Sequence, residues 1–118
     1  MAQAMKIGIM SREDFQKYTI QIAKGQLKPP KDGPKIWFDS VESMAQILSK
    51  RNRELLKTIK EQKPKSLTEL ADVTGRKVSN LSRTLKSMEH YGIVQLKKES
   101  GSVKPLVRVT EFRAVFNI

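Results

Sequence analysis

The chain of 118 residues has no cysteine and a single histidine, His90. Disulfides, thiolate metal sites and thiol catalysis are excluded, and one imidazole cannot build a histidine metal site. No metal and no cofactor are expected. No apolar run approaches the ~20 residues of a membrane span, and the first residues carry no signal-peptide core. A cytoplasmic protein that does not engage membranes is therefore expected. Glycines never group into a phosphate-binding loop. Ser79, Ser82 and Ser87 lack the strand-turn-helix setting of a nucleophile elbow. No catalytic residues emerge, and an enzyme is not expected.

Negative charge is also scarce. The chain holds 23 Lys/Arg against 12 Asp/Glu, a formal net charge of +11. Such an excess favours polyanionic partners. It is unevenly spread. Residues 1–40 hold seven basic and four acidic side chains, whereas residues 41–118 hold sixteen and eight. Between Arg76 and Arg108, eight basic residues face only Glu89 and Glu99.

The stretch from Ser66 to Val94 carries the strongest local pattern. Ser66 with Glu69 forms a capping box, so a helix starts at Leu67, with Leu67, Leu70 and Ala71 on its apolar face. Gly75 suits the left-handed exit from that helix. Val78, Leu81, Leu85 and Met88 then recur at spacings of three and four, giving a second helix over 78–90 with one apolar stripe. Its far side holds Ser79, Arg83, Lys86 and His90, flanked by Arg76, Asn80 and Ser87. That face has no carboxylate before Glu89. A short helix, a glycine turn and a longer helix with a basic outer face match the way a helix-turn-helix reads a major groove.

Upstream, Lys6–Met10 is a strand candidate. Ser11 caps a helix with Glu13 and Asp14 in its first turn, and Phe15, Tyr18 and Ile22, with Thr19 beside them, supply its buried face. Gly25 ends it, residues 26–34 form a proline-rich connector, and residues 35–39 give a second strand. The pairing of these strands, parallel or mixed, is left open by the pattern. From Ser40 a helix places Val41, Met44, Ala45 and Leu48 on one face. After a break near Ser49, Leu55, Leu56 and Ile59 continue in a basic helix to about Gln62, closed by Pro64. Downstream, Ile93, Val94 and Leu96 open a strand. Residues 99–102 have hairpin chemistry, and Val103, Leu106, Val107 and Val109 return. Pro105 must keep its nitrogen off the ladder or lie at an edge. Phe112, Val115 and Phe116 make the tail a further strand or a docked extension. The expected class is α+β, a winged helix-turn-helix with a small N-terminal β-α-β-like extension. Residues 1–39 form the extension, and residues 40–118 form the DNA-binding domain.

The segment LTELADVTGRKVSNLSRTLKSMEHYGIVQL resembles the core of MarR-like winged-helix transcriptional regulators. In these a leucine-alanine helix precedes a serine-rich recognition helix, then a glycine and an aliphatic strand. With KIGIMSREDF, PKIWF and SNLSRTLKSMEHYGIV, the whole chain is similar to a group of small archaeal and bacterial DNA-binding-type proteins, some of which look like antitoxins. The resemblance implies a transcriptional regulator, chiefly a repressor, acting as a homodimer on double-stranded DNA. The alternative it implies is an antitoxin that docks a toxin protein through residues 1–39 and autoregulates its operon. RNA binding through the same face is a further alternative.

Arg83 is the first choice for a base-edge contact, because an arginine fork spans guanine O6 and N7. Asn80 suits adenine or a phosphate, and Ser79 a phosphate. Arg76, Lys77 and Lys86 would neutralise flanking phosphates. Lys97, Lys98 and Lys104 flank the hairpin turn and suit DNA backbone contact, or else guard an exposed strand edge. Arg51 and Arg53 suit a phosphate or plain solvent. Phe15, Tyr18, Trp37 and Phe38 suit core packing better than a stacking platform for single strands.

Overall fold

Two parallel strands joined by a helix open the chain in the computed structural model, which describes residues 3–115. Strand β1 (Gln3–Ile9) leads through helix α1 (Arg12–Ala23) to β2 (Ile36–Phe38). The register sets Ile7 beside Ile36 and Ile9 beside Phe38, which resolves the open choice in favour of parallel pairing. The Ser11 hydroxyl caps α1 by accepting from the Asp14 N–H at 3.2 Å. Phe15, Tyr18 and Ile22 are half-buried, but Thr19 is exposed and its hydroxyl donates to the Gln16 carbonyl. One turn of helix is spent on covering Trp37, whose ring lies 5.9 Å from Phe15 and 5.6 Å from Tyr18.

Helices α2 (Val41–Ile47) and α3 (Lys50–Gln62) follow. The Ser49 hydroxyl caps α3 by accepting from the Asn52 N–H. In α2 the buried side differs from the expected one. Met44, Ile47 and Leu48 turn inward, whereas Val41 and Ala45 are exposed. A seven-residue helix covers the core with only its last turn, so its first apolar residue stays in solvent. Helix α3 buries Leu55, Leu56 and Ile59 and ends on Lys63 in the left-handed region, before buried Pro64.

Helix α4 (Leu67–Thr74) starts where the Ser66 hydroxyl accepts from the Glu69 N–H at 3.0 Å. The return arm of the capping box is displaced by one residue: the Glu69 carboxylate accepts from the Lys65 N–H at 3.1 Å. Gly75, at φ +73, ends the helix in a conformation that costs a glycine little. Helix α5 (Val78–His90) buries Leu81, Leu85 and Met88 completely. Val78 is an exception to the expected stripe at 43% exposure. As the first residue of the helix it leans toward the N-terminal end, beyond the core.

The chain then forms an antiparallel hairpin of β3 (Val94–Glu99) and β4 (Ser102–Val107). Ser100 and Gly101 both have positive φ, which is the primed two-residue turn that matches strand twist. Counting from the closing pair Glu99–Ser102, Leu96–Pro105 falls on a pair that exchanges no ladder hydrogen bonds. Pro105 therefore sits within a strand without loss. The outward N–H of Leu96 is taken instead by the Glu89 carboxylate at 2.8 Å.

The tail is a further strand, β5 (Val109–Ala114), and it returns to the start of the chain. It pairs parallel with β1, Met5 beside Phe112 and Ile7 beside Ala114, giving the order β2-β1-β5. Phe116 lies outside the described residues. The fold is thus mixed α+β. Residues 1–39 and 40–118, two units in the sequence pattern, contribute to one hydrophobic cluster in which Ile7, Ile36 and Phe38 join Leu55, Leu70, Leu85 and Val109.

Gly8 lies under the Trp37 ring, where a Cβ would collide with the ring atoms. Gly8→Ala is expected to lower unfolding free energy by about 1–3 kcal/mol, measured by chemical denaturation. An unchanged midpoint would mean that Trp37 moves aside freely.

Candidate nucleic-acid interface

The buried stripe of α5 decides what its other side presents. With Leu81, Leu85 and Met88 inward, Ser79, Arg83 and Lys86 lie exposed on the opposite side, with Lys77 at the helix start. Lys77 occupies the N-cap position and gives no side-chain cap, so the first N–H groups of α5 have no side chain bonded to them from that residue. His90 is exposed at the last turn, its ring edge-on to Tyr91. Glu89, the first carboxylate of the helix, bonds to the β3 backbone as described above.

Arg76 and Asn80 are arranged differently. The Arg76 guanidinium donates from Nε and Nη2 to the Asn80 Oδ1, at 3.0 and 2.7 Å, and from Nη2 to the Thr84 hydroxyl at 3.3 Å. Its Nη1 is buried without a hydrogen-bond partner. Burial first, and then the nearby charge of Arg51, hold this guanidinium below the usual arginine pKa. Arg51, Thr58, Thr74 and Arg76 line a shared cleft of about 260 Å³. Arg76 thus braces the first two turns of α5. A two-point reading of adenine by Asn80 needs both its oxygen and its amide nitrogen, and the oxygen is occupied. The spacing of Arg76, Asn80 and Thr84, one side chain per helical turn, was the available signal for this brace.

On the hairpin, Lys97 and Lys104 are register partners and share one face, whereas Lys98 is paired with Val103 on the other. Lys97 forms an ion pair with Glu99 at 3.2 Å, which offsets the repulsion expected of two lysines set opposite each other. Arg53 donates from Nε to the Leu48 carbonyl at 3.0 Å and so closes α2. The aromatic residues are packed together: Phe38 is 1% exposed and stacks on Tyr91 at a centroid distance of 4.4 Å. Among the described residues, no group of three or more His, Asp or Glu could hold a metal ion. No helix there is long and apolar enough to cross a membrane.

Residues 47–114 match the model of the HVO_A0114 family. The chain belongs to that family. The matched HVO_A0114 segment begins at the end of α2 and runs through β5, so it includes every residue singled out above on α5 and the hairpin. Strands β1 and β2 and helix α1 lie before it. No curated protein and no solved structure matches the chain.

Because Asn80 supplies the acceptor for two of the Arg76 nitrogens, Asn80→Ala is expected to cost about 1–3 kcal/mol of stability in urea unfolding. Ser79→Ala, one residue away on the exposed face, is expected to stay within about 0.5 kcal/mol. Equal effects would mean that the brace contributes nothing.

Proposed function

We propose that this protein is a transcriptional regulator, a repressor in its simplest form, that binds double-stranded DNA through a winged helix-turn-helix. In this reading α3, α4 and α5 are the three helices, α5 is the recognition helix and the β3–β4 hairpin is the wing. The observation that carries it is the exposed side of α5. Ser79, Arg83 and Lys86 stand there together, Leu81, Leu85 and Met88 behind them are fully buried, and the carboxylate of the helix, Glu89, is tied to β3. The MarR-like pattern of the same segment supports the reading, as does the net charge of +11. The protein acts in the cytoplasm as a homodimer on a palindromic site.

Each residue then has a role. Arg83 reads a base edge in the major groove. Ser79, Lys77 and Lys86 bind phosphates and set the register. Lys98 and Lys104, with Lys97 once it leaves Glu99, follow the adjacent backbone. Asn80 retains its amide nitrogen as a donor while its oxygen holds Arg76, so Arg76 acts through the helix rather than on phosphate.

A selection for bound duplexes from a random pool tests the proposal, because it yields a motif and a half-site spacing together. Arg83→Ala should then cost about 1–3 kcal/mol and relax preference at one base position. A loss equal across all sequences would make Arg83 a phosphate contact. If each protomer neutralises about 4–6 phosphates, log K should fall against log salt with a slope of about −4 to −5 per protomer. Tighter binding to structured RNA than to duplex DNA at matched salt would overturn the proposal.

A further inference from the structure

The β2-β1-β5 sheet has two outer edges, and they are not alike. β2 is three residues long and follows Pro34, so it offers little to pair with. β5 is six residues long and contains neither proline nor lysine, the residues that commonly guard an edge. β1 occupies one side of β5, and no strand among the described residues occupies the other. Thr110, Glu111, Arg113 and Ala114 are all exposed, and Val115 just beyond is 83% exposed.

The charges along β5 single out one way of filling that edge. Glu111 and Arg113 alternate on one face and pair within the chain at 3.3 Å. Suppose two copies of β5 run antiparallel about a two-fold axis through Phe112. Each Glu111 then lies opposite the Arg113 of the second copy, twice by symmetry. Shifting the axis by one residue sets Glu111 against Glu111, or Arg113 against Arg113, which is unfavourable.

We infer that β5 is a homodimerisation edge, pairing antiparallel with β5 of a second copy about Phe112 to make one continuous six-stranded sheet. The contact is isologous and closes on itself, as a two-fold dimer requires. It deepens the homodimer part of the function proposed above and does not depend on DNA binding.

The experiment is sedimentation equilibrium of the full chain without DNA, across a concentration series, for wild type, Glu111→Arg and Arg113→Glu. Both positions are exposed, and circular dichroism checks that the variants fold. The wild type should be dimeric. Each single variant sets like charges opposite one another twice and should raise the dimer dissociation constant on the order of tenfold. An equimolar mixture of the two variants should recover wild-type association, since each position then meets its opposite charge in the heterodimer. A purely internal role for the Glu111–Arg113 pair cannot produce that recovery. A monomeric wild type, single variants that dimerise as tightly as wild type, or a mixture no tighter than its components would each overturn the inference. A monomer that still selects a DNA motif would leave the DNA reading intact and remove only this one.

Discussion

The burial of one side of α5 is the constraint on which the rest of the molecule turns. Leu81, Leu85 and Met88 are inaccessible to solvent, and so are Leu70 from α4 and Ile93 at the entry to β3. Each such side chain contributes about 1.5–3 kcal/mol relative to exposure. Rotating the helix by a single residue would swing it through about 100° and bring polar groups inward. The rotation of α5 is therefore set from within the core, and with it the identity of every group facing outward. Two polar contacts hold its ends: the Arg76 brace at the first turns and the Glu89 bond to Leu96 at the last.

Features governed by neighbouring residues were legible in the sequence. The bounds of α5, the Ser66 cap, the left-handed Gly75 and the hairpin turn at Ser100–Gly101 all follow from local chemistry. So does the exposure of Ser79, Arg83 and Lys86, which is the complement of the apolar stripe. Three kinds of feature were not legible. Val41 and Val78 fit their stripes by spacing, yet lie at helix starts beyond the core, and Ala45 falls to one side of the face that Met44, Ile47 and Leu48 turn inward. The engagement of Arg76 with Asn80 depends on a side-chain rotamer that residue type alone does not specify. Most of all, the β1–β5 pairing joins segments at opposite ends of the chain, and strand alternation tells which face is buried but never which strand is the neighbour.

The electrostatics are those of a molecule that keeps its positive charge unspent. Two ion pairs are formed among the described residues, and each lies within a single strand. Arg51 and Arg76 approach one another, and neither forms an ion pair with a carboxylate among the described residues. Self-repulsion of this kind weakens the compact state. The acidic residues within α5 and the hairpin are occupied by the protein itself, Glu89 with a backbone N–H and Glu99 with Lys97.

The parallel closure of β1 against β5 also governs the order in which the polypeptide can become complete. Their register partners, such as Gln3 and Val109, are separated by more than a hundred residues. As the chain leaves the ribosome, β1 emerges first and the strand that flanks it emerges last. At a synthesis rate of about 5–20 residues per second, that interval lasts roughly 5–20 s. Until β5 is made, β1 can pair on its β2 side alone. Of the three strands of the sheet, the central one is thus made first, and it is flanked on both sides only when the third is made.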